Sequence, residues 1–246
     1  MLCYRELVER LRGDWSVLGV ASPALDTTVP VPPTLTELAG GYLDEIRAVL
    51  PAGTPVRLVG WSLGAVLAYE LGRQLCADGR DCTAVLIDPW VGPAGAPAAP
   101  SAGELVRAFL TDVTRGEVTG ELPATDTELT AEETLRALWP QVAGSRPDLV
   151  SLGLPAALRL FGVFAAHTRA LVRYDVPAAP GLDAHLLVAR TPLGGAAGGY
   201  LVPLGDRLPG PAPRQQVPGD HFAVTDPDKV DAVAAAITAA LCPQLP

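Results

Sequence analysis

Gly60-Trp61-Ser62-Leu63-Gly64 sets a serine between two glycines, each two residues away. A serine hydroxyl is a weak nucleophile until an adjacent base takes its proton. Residues 56–60 (VRLVG), on the N-terminal side of the motif, are a short apolar run with strand character. Residues 63–76, on its C-terminal side, have the apolar spacing of a strong helix. A G-x-S-x-G at a strand-to-helix junction puts its serine on a sharp, strained turn that lifts the hydroxyl above a sheet. Strand and helix approach closely there, which requires small residues. Gly60 and Gly64 supply them, and Ala65 helps. The helix also aims its first N–H groups at the serine, where they suit a developing oxyanion.

A base and an acid must reach Ser62. The three histidines are His167, His185 and His221. His167 lies in a helical stretch beside Arg169 and Arg173 and is expected to cap or pack that stretch. His185 starts an apolar strand and reads as a core or edge histidine. His221 lies in Pro218-Gly219-Asp220-His221-Phe222, after the last strand and before the last helix. That is where the chain order Ser, Asp, His puts its base. Asp88 ends the apolar run at residues 83–87 (TAVLI), and the interval from Ser62 holds one helix and one strand. Asp88 is therefore expected one strand over from Ser62, at a strand C-terminus where such sheets place function. Asp206, deep in a Pro/Gly loop, remains an alternative. Asp220 adjoins His221 in sequence, so its side chain is expected to point elsewhere.

The elements that must position these residues alternate. A helix is expected over residues 2–11, and a buried strand over residues 15–20 (WSVLGV). A Pro/Thr-rich loop comes next, at residues 26–33. The helix from about residue 35 to 50 opens on Thr34 as N-cap, with Glu37 completing a capping box. After a turn at residues 51–55 come the strand, helix and strand around Ser62 and Asp88. The pattern predicts an α/β fold with a mostly parallel sheet and helices on both faces. Residues 90–100 are rich in Pro, Gly and Ala and read as a linker. From 101 to about 175 the pattern is helical, with breaks at 116–123 and 144–147. The expectation is one domain over residues 1–246, with 90–175 as linker plus helical lid. A strand at 184–189, a long Gly/Pro loop at 191–213, a short edge strand at 214–217 and a terminal helix at 228–241 complete it.

Composition bounds the function. The chain has 246 residues, 49% of them hydrophobic, and can bury a real core. Its formal net charge of −9 disfavours sequence-independent nucleic-acid binding and anionic membranes, both of which need a basic surface. No apolar run of membrane-spanning length is free of charge or Pro/Gly interruption, so no span is expected. Cys3, Cys76, Cys82 and Cys242 form neither a CxxC pair nor a metal-ligand spacing, and read as reduced thiols of a cytoplasmic protein. Neither metal nor nucleotide signature is present.

With these residues in place, the chain resembles the terminal thioesterase domains of nonribosomal peptide synthetases, members of the α/β-hydrolase superfamily. The matching segments are Cys3-Tyr4-Arg5-Glu6-Leu7, Gly60-Trp61-Ser62-Leu63-Gly64-Ala65 with Tyr69-Glu70, Leu86-Ile87-Asp88, and Gly219-Asp220-His221-Phe222. They run in order over nearly the whole chain, with the insertion matching least. Trp61 resembles the terminal domains, since stand-alone editing and polyketide thioesterases usually carry His there. The resemblance implies a triad of Ser62, Asp88 and His221, and a helical lid. It implies release of an acyl or peptidyl chain from a carrier protein's phosphopantetheine arm, by hydrolysis or macrocyclisation through a Ser62 acyl-enzyme. The Leu63 backbone N–H would hold the oxyanion. No cofactor is expected on the domain itself, and the partners expected are the carrier protein and a small acyl or peptide substrate. Apolar lid residues, 152–171 above all, would line the acyl pocket and limit water.

One departure bears on activity. The family begins with a strand and a Gly-rich loop of His-Pro-Ala-Gly-Gly type, just before the segment matching residues 2–7. That loop supplies a second oxyanion N–H. Its absence here predicts a truncated reading frame or a fragment of a longer enzyme, and a strand missing between residues 15–20 and 56–60. Loss of one oxyanion donor costs on the order of 10²–10³ in rate. The rival readings are a stand-alone editing thioesterase, a general esterase, and an inert remnant or carrier-docking module.

Overall fold

Apolar strand residues alternate between two faces, so a strand buried throughout must be covered on both. The second strand of the sheet, β2 (Cys82–Ile87), is buried at every position. The computed structural model, which describes residues 4–11, 15–25, 29–95, 99–116, 129–144, 147–191 and 200–242, shows what covers it. Ala84 and Leu86 join a cluster with α2 (Leu35–Val49) and α3 (Leu63–Ala77). Val85 and Ile87 face the opposite way, onto α7 (Val230–Leu241) and Leu7 of α1 (Arg5–Arg10).

Around β2 runs a four-stranded parallel sheet. Numbering all strands in chain order, β1 (Val56–Trp61) pairs with β2, β2 with β4 (Asp183–Ala189), and β4 with β6 (Arg214–Val217). The α/β expectation holds, with helices on both faces. Local signals also hold: the Thr34 hydroxyl accepts from the Glu37 N–H, and the Glu37 carboxylate accepts from the Thr34 N–H, closing the capping box that starts α2.

Residues 15–20 depart from expectation. They form no strand, and Val17, Leu18 and Val20 are exposed. An apolar run becomes a strand only where a neighbouring edge takes its backbone N–H and C=O groups. No described strand lies beside it, so the run forms no regular element, and only Trp15 of the run packs against the core. β1 is consequently an edge of the described sheet.

Between β2 and β4 the chain leaves the sheet. A two-residue strand, β3 (Trp90–Val91), pairs antiparallel with β5 (Val202–Pro203), within the stretch expected to be loop. Three helices come next: α4 (Ala102–Val113), α5 (Ala131–Gly144) and α6 (Pro147–Val172). They enclose an apolar cluster of their own that includes Phe109, Leu135, Trp139 and Phe161. Phe109 meets Phe161 and Phe164 edge-on at 5.4 and 5.5 Å. Gly153, at φ 70°, kinks α6. Beyond the kink Ala157, Phe161 and Ala165 turn into the cluster, and Leu158, Leu160 and Phe164 pack half-buried against it. The stretch Leu149–Val172 has the length and mean hydropathy (1.8) of a membrane span. Leu2, Cys3, residues 26–28, 117–123, 145–146 and 192–199, on which some sequence expectations fall, lie outside the described residues.

Candidate active site

Ser62 succeeds the last residue of β1 and precedes α3. Its φ of 56° and ψ of −124° put a non-glycine residue in the left-handed half of backbone space, where strain of about 1–3 kcal/mol is ordinarily held only at functional turns. The Ser62 N–H donates to the Ile87 carbonyl at 2.9 Å, tying the turn to the end of β2. Gly60 is required sterically, and Gly64 lies close against Tyr4. A Cβ on Gly60 would stand 2.1 Å from the Gly64 carbonyl oxygen, and one on Gly64 would stand 3.0 Å from the Tyr4 hydroxyl. The Ser62 carbonyl takes the Ala65 and Val66 N–H groups as α3 begins. The Leu63 N–H has no hydrogen-bond partner among the described residues, as expected in the first turn of a helix.

The register Trp61↔Ile87 brings the two strand ends level, so Asp88 lies one strand over from Ser62. Asp88 too has positive φ, 43°. Its carboxylate is surrounded by donors. Oδ2 lies 2.7 Å from His221 Nδ1 and accepts from the Trp90 indole at 3.1 Å; Oδ1 accepts from the Ala189 N–H at 3.1 Å. Asp88 and His221 are 4% and 5% exposed. Burial pushes the Asp88 carboxyl up, but His221, Trp90 and Ala189 together outweigh it and hold it below the ordinary carboxylate range. A charged acceptor at Nδ1 fixes the tautomer in which Nδ1 carries the proton and Nε2 is free to act as a base. The other carboxylates considered are engaged elsewhere. Asp206 pairs with Arg214 at 3.3 Å, and Asp220 accepts from the Phe222 and Ala223 N–H groups, shaping the loop that carries His221.

The structure thus joins Asp88 to His221 and sets Ser62 on the adjacent strand end. The Ser62 hydroxyl is not hydrogen-bonded to His221 among the described residues. Trp61 holds the histidine loop beside the serine turn: its indole donates to the His221 carbonyl at 2.9 Å, with ring centroids 5.3 Å apart. A strained serine, a donor at a helix start, and a carboxylate-oriented imidazole can together carry out acyl transfer.

Comparison with known proteins agrees with that chemistry. Residues 1–241 match the family model described as Thioesterase domain. The chain belongs to the thioesterase domain family. Among relatives of this thioesterase domain, the non-reducing polyketide synthase crz7 of Cladonia metacorallifera is 30% identical over 231 residues, 92% of this chain and 11% of that synthase. The dimodular nonribosomal peptide synthase of Bacillus subtilis is 29% identical over 85 residues, 35% of this chain and 4% of that protein. The chain therefore spans a small fraction of the curated relatives it matches. Among solved structures, RedJ, a thioesterase from the prodiginine pathway of Streptomyces coelicolor, superposes with a TM-score of 0.62 at 22% identity, covering 97% of this chain and 86% of that one. This likeness bears on the fold.

Two contacts around the thioesterase site lie outside the sequence expectations. Trp90 lies in a stretch with linker composition, yet its indole orients Asp88. The Tyr4 hydroxyl accepts the Trp61 N–H at 3.0 Å on the outer edge of β1. His167 and His185 stand apart. His167 is buried in α6 with no partner for Nε2, and burial lowers its pKa. His185 lies in β4 near Asp183, 3.0 Å away. Among the described residues no group of His, Cys, Asp and Glu is arranged to hold a metal.

Proposed function

We propose that this thioesterase domain releases an acyl or peptidyl chain from the phosphopantetheine thioester of a carrier protein, through an acyl-enzyme on Ser62. His221 Nε2 takes the Ser62 proton as Oγ attacks the thioester carbonyl. The Leu63 N–H, at the start of α3, receives the oxyanion. Collapse breaks the C–S bond, and the departing thiolate takes the proton from the imidazolium. Water, or a hydroxyl or amine of the bound chain itself, then attacks the Ser62 ester with His221 again as base. The products are a free acid or a macrocycle, and Ser62 is regenerated. Asp88 holds the imidazole in its tautomer and stabilises its charge.

The observation that carries this reading is the 2.7 Å contact between Asp88 and His221 beside a serine in the strained turn. The half-buried apolar residues of α6, among them Leu158, Leu160 and Phe164, support an acyl-binding lid. The synthases and synthetases among the relatives support a carrier as partner. The test is turnover of acyl N-acetylcysteamine thioesters, read as thiol release. Wild-type protein is expected to turn them over, and Ser62→Ala to lose on the order of 10³-fold or more in kcat. Thiol release at an equal rate by Ser62→Ala would rule the acyl-enzyme out.

A further inference from the structure

Helix α4 ends against the loop that carries His221. Two paired bonds close that end: the Gly116 N–H donates to the Thr111 carbonyl at 2.8 Å, and the Arg115 N–H to the Asp112 carbonyl at 3.0 Å. Glycine ordinarily fills the left-handed position of such an ending, because a Cβ there is strained. Here the position is held by Arg115, at φ 55°. Among the described residues two other non-glycines have positive φ, and they are Ser62 and Asp88.

The contacts of the guanidinium show what the strained position gains. Nη2 donates to the carbonyl of Phe222, the residue after His221, at 2.7 Å, and to the Asp226 carboxylate at 2.6 Å. The Thr225 hydroxyl reaches the same carbonyl at a longer 3.4 Å. A Cβ on Gly116 would stand 3.2 Å from the Phe222 ring, so the backbone runs directly against this loop. That ring lies edge-on to His221 at 5.1 Å and to Trp61 at 6.5 Å. The preceding carbonyl, that of His221, is held by the Trp61 indole. Two consecutive carbonyls of the loop are thus held from different elements, one by the end of β1 and one by the end of α4.

We propose that Arg115 is a positioning residue for His221: it ties the histidine loop to α4, so that the helical lid and the end of β1 together set where the imidazole stands. The proposal rests on the release reaction above, in which His221 takes the Ser62 proton and passes it on. Arg115 acts through the Phe222 carbonyl and Asp226, not on the substrate. A residue that served only to end α4 would be better as glycine. Strain of this kind persists where the surrounding contacts require the side chain.

Arg115→Gly keeps the turn and removes the guanidinium. Two readouts follow it: the rate at which a fluorophosphonate labels Ser62, and kcat and KM for an acyl N-acetylcysteamine thioester. The folded variant is expected to lose roughly three- to tenfold in labelling rate and in kcat, with KM little changed, the range of a hydrogen-bonded ion pair at a partly exposed site. Asp226→Asn removes the ion pair and leaves the Phe222 bond, and is expected to lose less. The double variant is expected to lose no more than Arg115→Gly alone, since both substitutions act on one contact. Wild-type labelling and kcat in folded Arg115→Gly, a loss confined to KM, or additive losses in the double variant would each overturn the proposal and leave the release reaction standing. Neither turnover nor labelling of folded wild-type protein would defeat the release reaction itself and this inference with it.

Discussion

The Trp61 indole N–H reaches the His221 carbonyl at 2.9 Å while its ring lies against the imidazole at 5.3 Å. The residue before Ser62 thus holds the loop that carries His221, across 160 positions of sequence. Trp61→Phe keeps a ring in place and removes the donor. A single hydrogen bond of this kind contributes about 0.5–1.5 kcal/mol. The variant is expected to lose roughly three- to tenfold in kcat for a thioester substrate, with KM little changed, because in the proposed mechanism the bond positions His221 rather than the substrate. Wild-type kcat in a folded Trp61→Phe protein would contradict this role.

Gly60 tests the turn itself. A Cβ there would overlap the Gly64 carbonyl, which belongs to the backbone and cannot swing away. Gly60→Ala is expected to destabilise the protein by about 3 kcal/mol or more, or to prevent folding. Gly79 offers the contrast: it is in the left-handed region at φ 78°, but nothing lies within 4 Å of an added Cβ. Gly79→Ala is expected to cost about 1 kcal/mol, from backbone strain alone. Urea midpoints of the two variants check the ordering.

The glycine spacing around Ser62 and the Thr34–Glu37 capping box are local, fixed by residues a few positions apart, and are legible in the sequence for that reason. Asp88 is legible because one helix and one strand separate it from Ser62, and parallel neighbours end level. Residues 15–20 differ from their sequence expectation because apolar patterning reports what a segment would bury, not whether an edge stands beside it. Trp90 and Arg115 carry no mark in the sequence for a related reason. Each acts on Asp88 or the His221 loop through a contact set by the fold, and Arg115 reaches Phe222 across 107 positions.

Glu70 predicts an acid limb in stability. It is fully buried in α3, bonded to Arg73 at 2.8 and 2.7 Å, Gln74 at 2.8 Å and the Tyr174 hydroxyl at 2.6 Å. Burial pushes its carboxyl up, but Arg73, Tyr174 and Gln74 outweigh this and hold it below its usual value of 4.5. The unfolded chain therefore takes up this proton more readily than the folded one. The stabilisation is complete above about pH 4.5 and is lost as pH falls through the lower folded value. Glu70→Gln is expected to cost about 2–3 kcal/mol at pH 7, less than for a fully enclosed pair because Arg73 is 27% exposed. Denaturant unfolding at pH 7 and pH 3 is expected to show the gap between wild type and variant narrowing at the lower pH. A gap of constant size would contradict the assignment.

Cys82 offers a chemical check on the sheet. Burial in β2, with Cys76 close by, pushes its thiol up to about 12. The thiolate is the reactive form. Cys82 is expected to resist a thiol-directed reagent at pH 7.5 in folded protein and to react at once in denaturant, as peptide mass mapping would show. Rapid labelling of Cys82 in the native state would place β2 at a surface, contrary to its burial here.

Activation of Ser62 by His221 underlies every catalytic step proposed above. The intact mass of wild-type and Ser62→Ala protein after incubation with a fluorophosphonate probes it without reference to any acyl chain. A single adduct is expected on wild type, mapped to Ser62, and none on Ser62→Ala. No adduct on folded wild-type protein, or equal labelling of both, would contradict the assignment of Ser62 as the nucleophile.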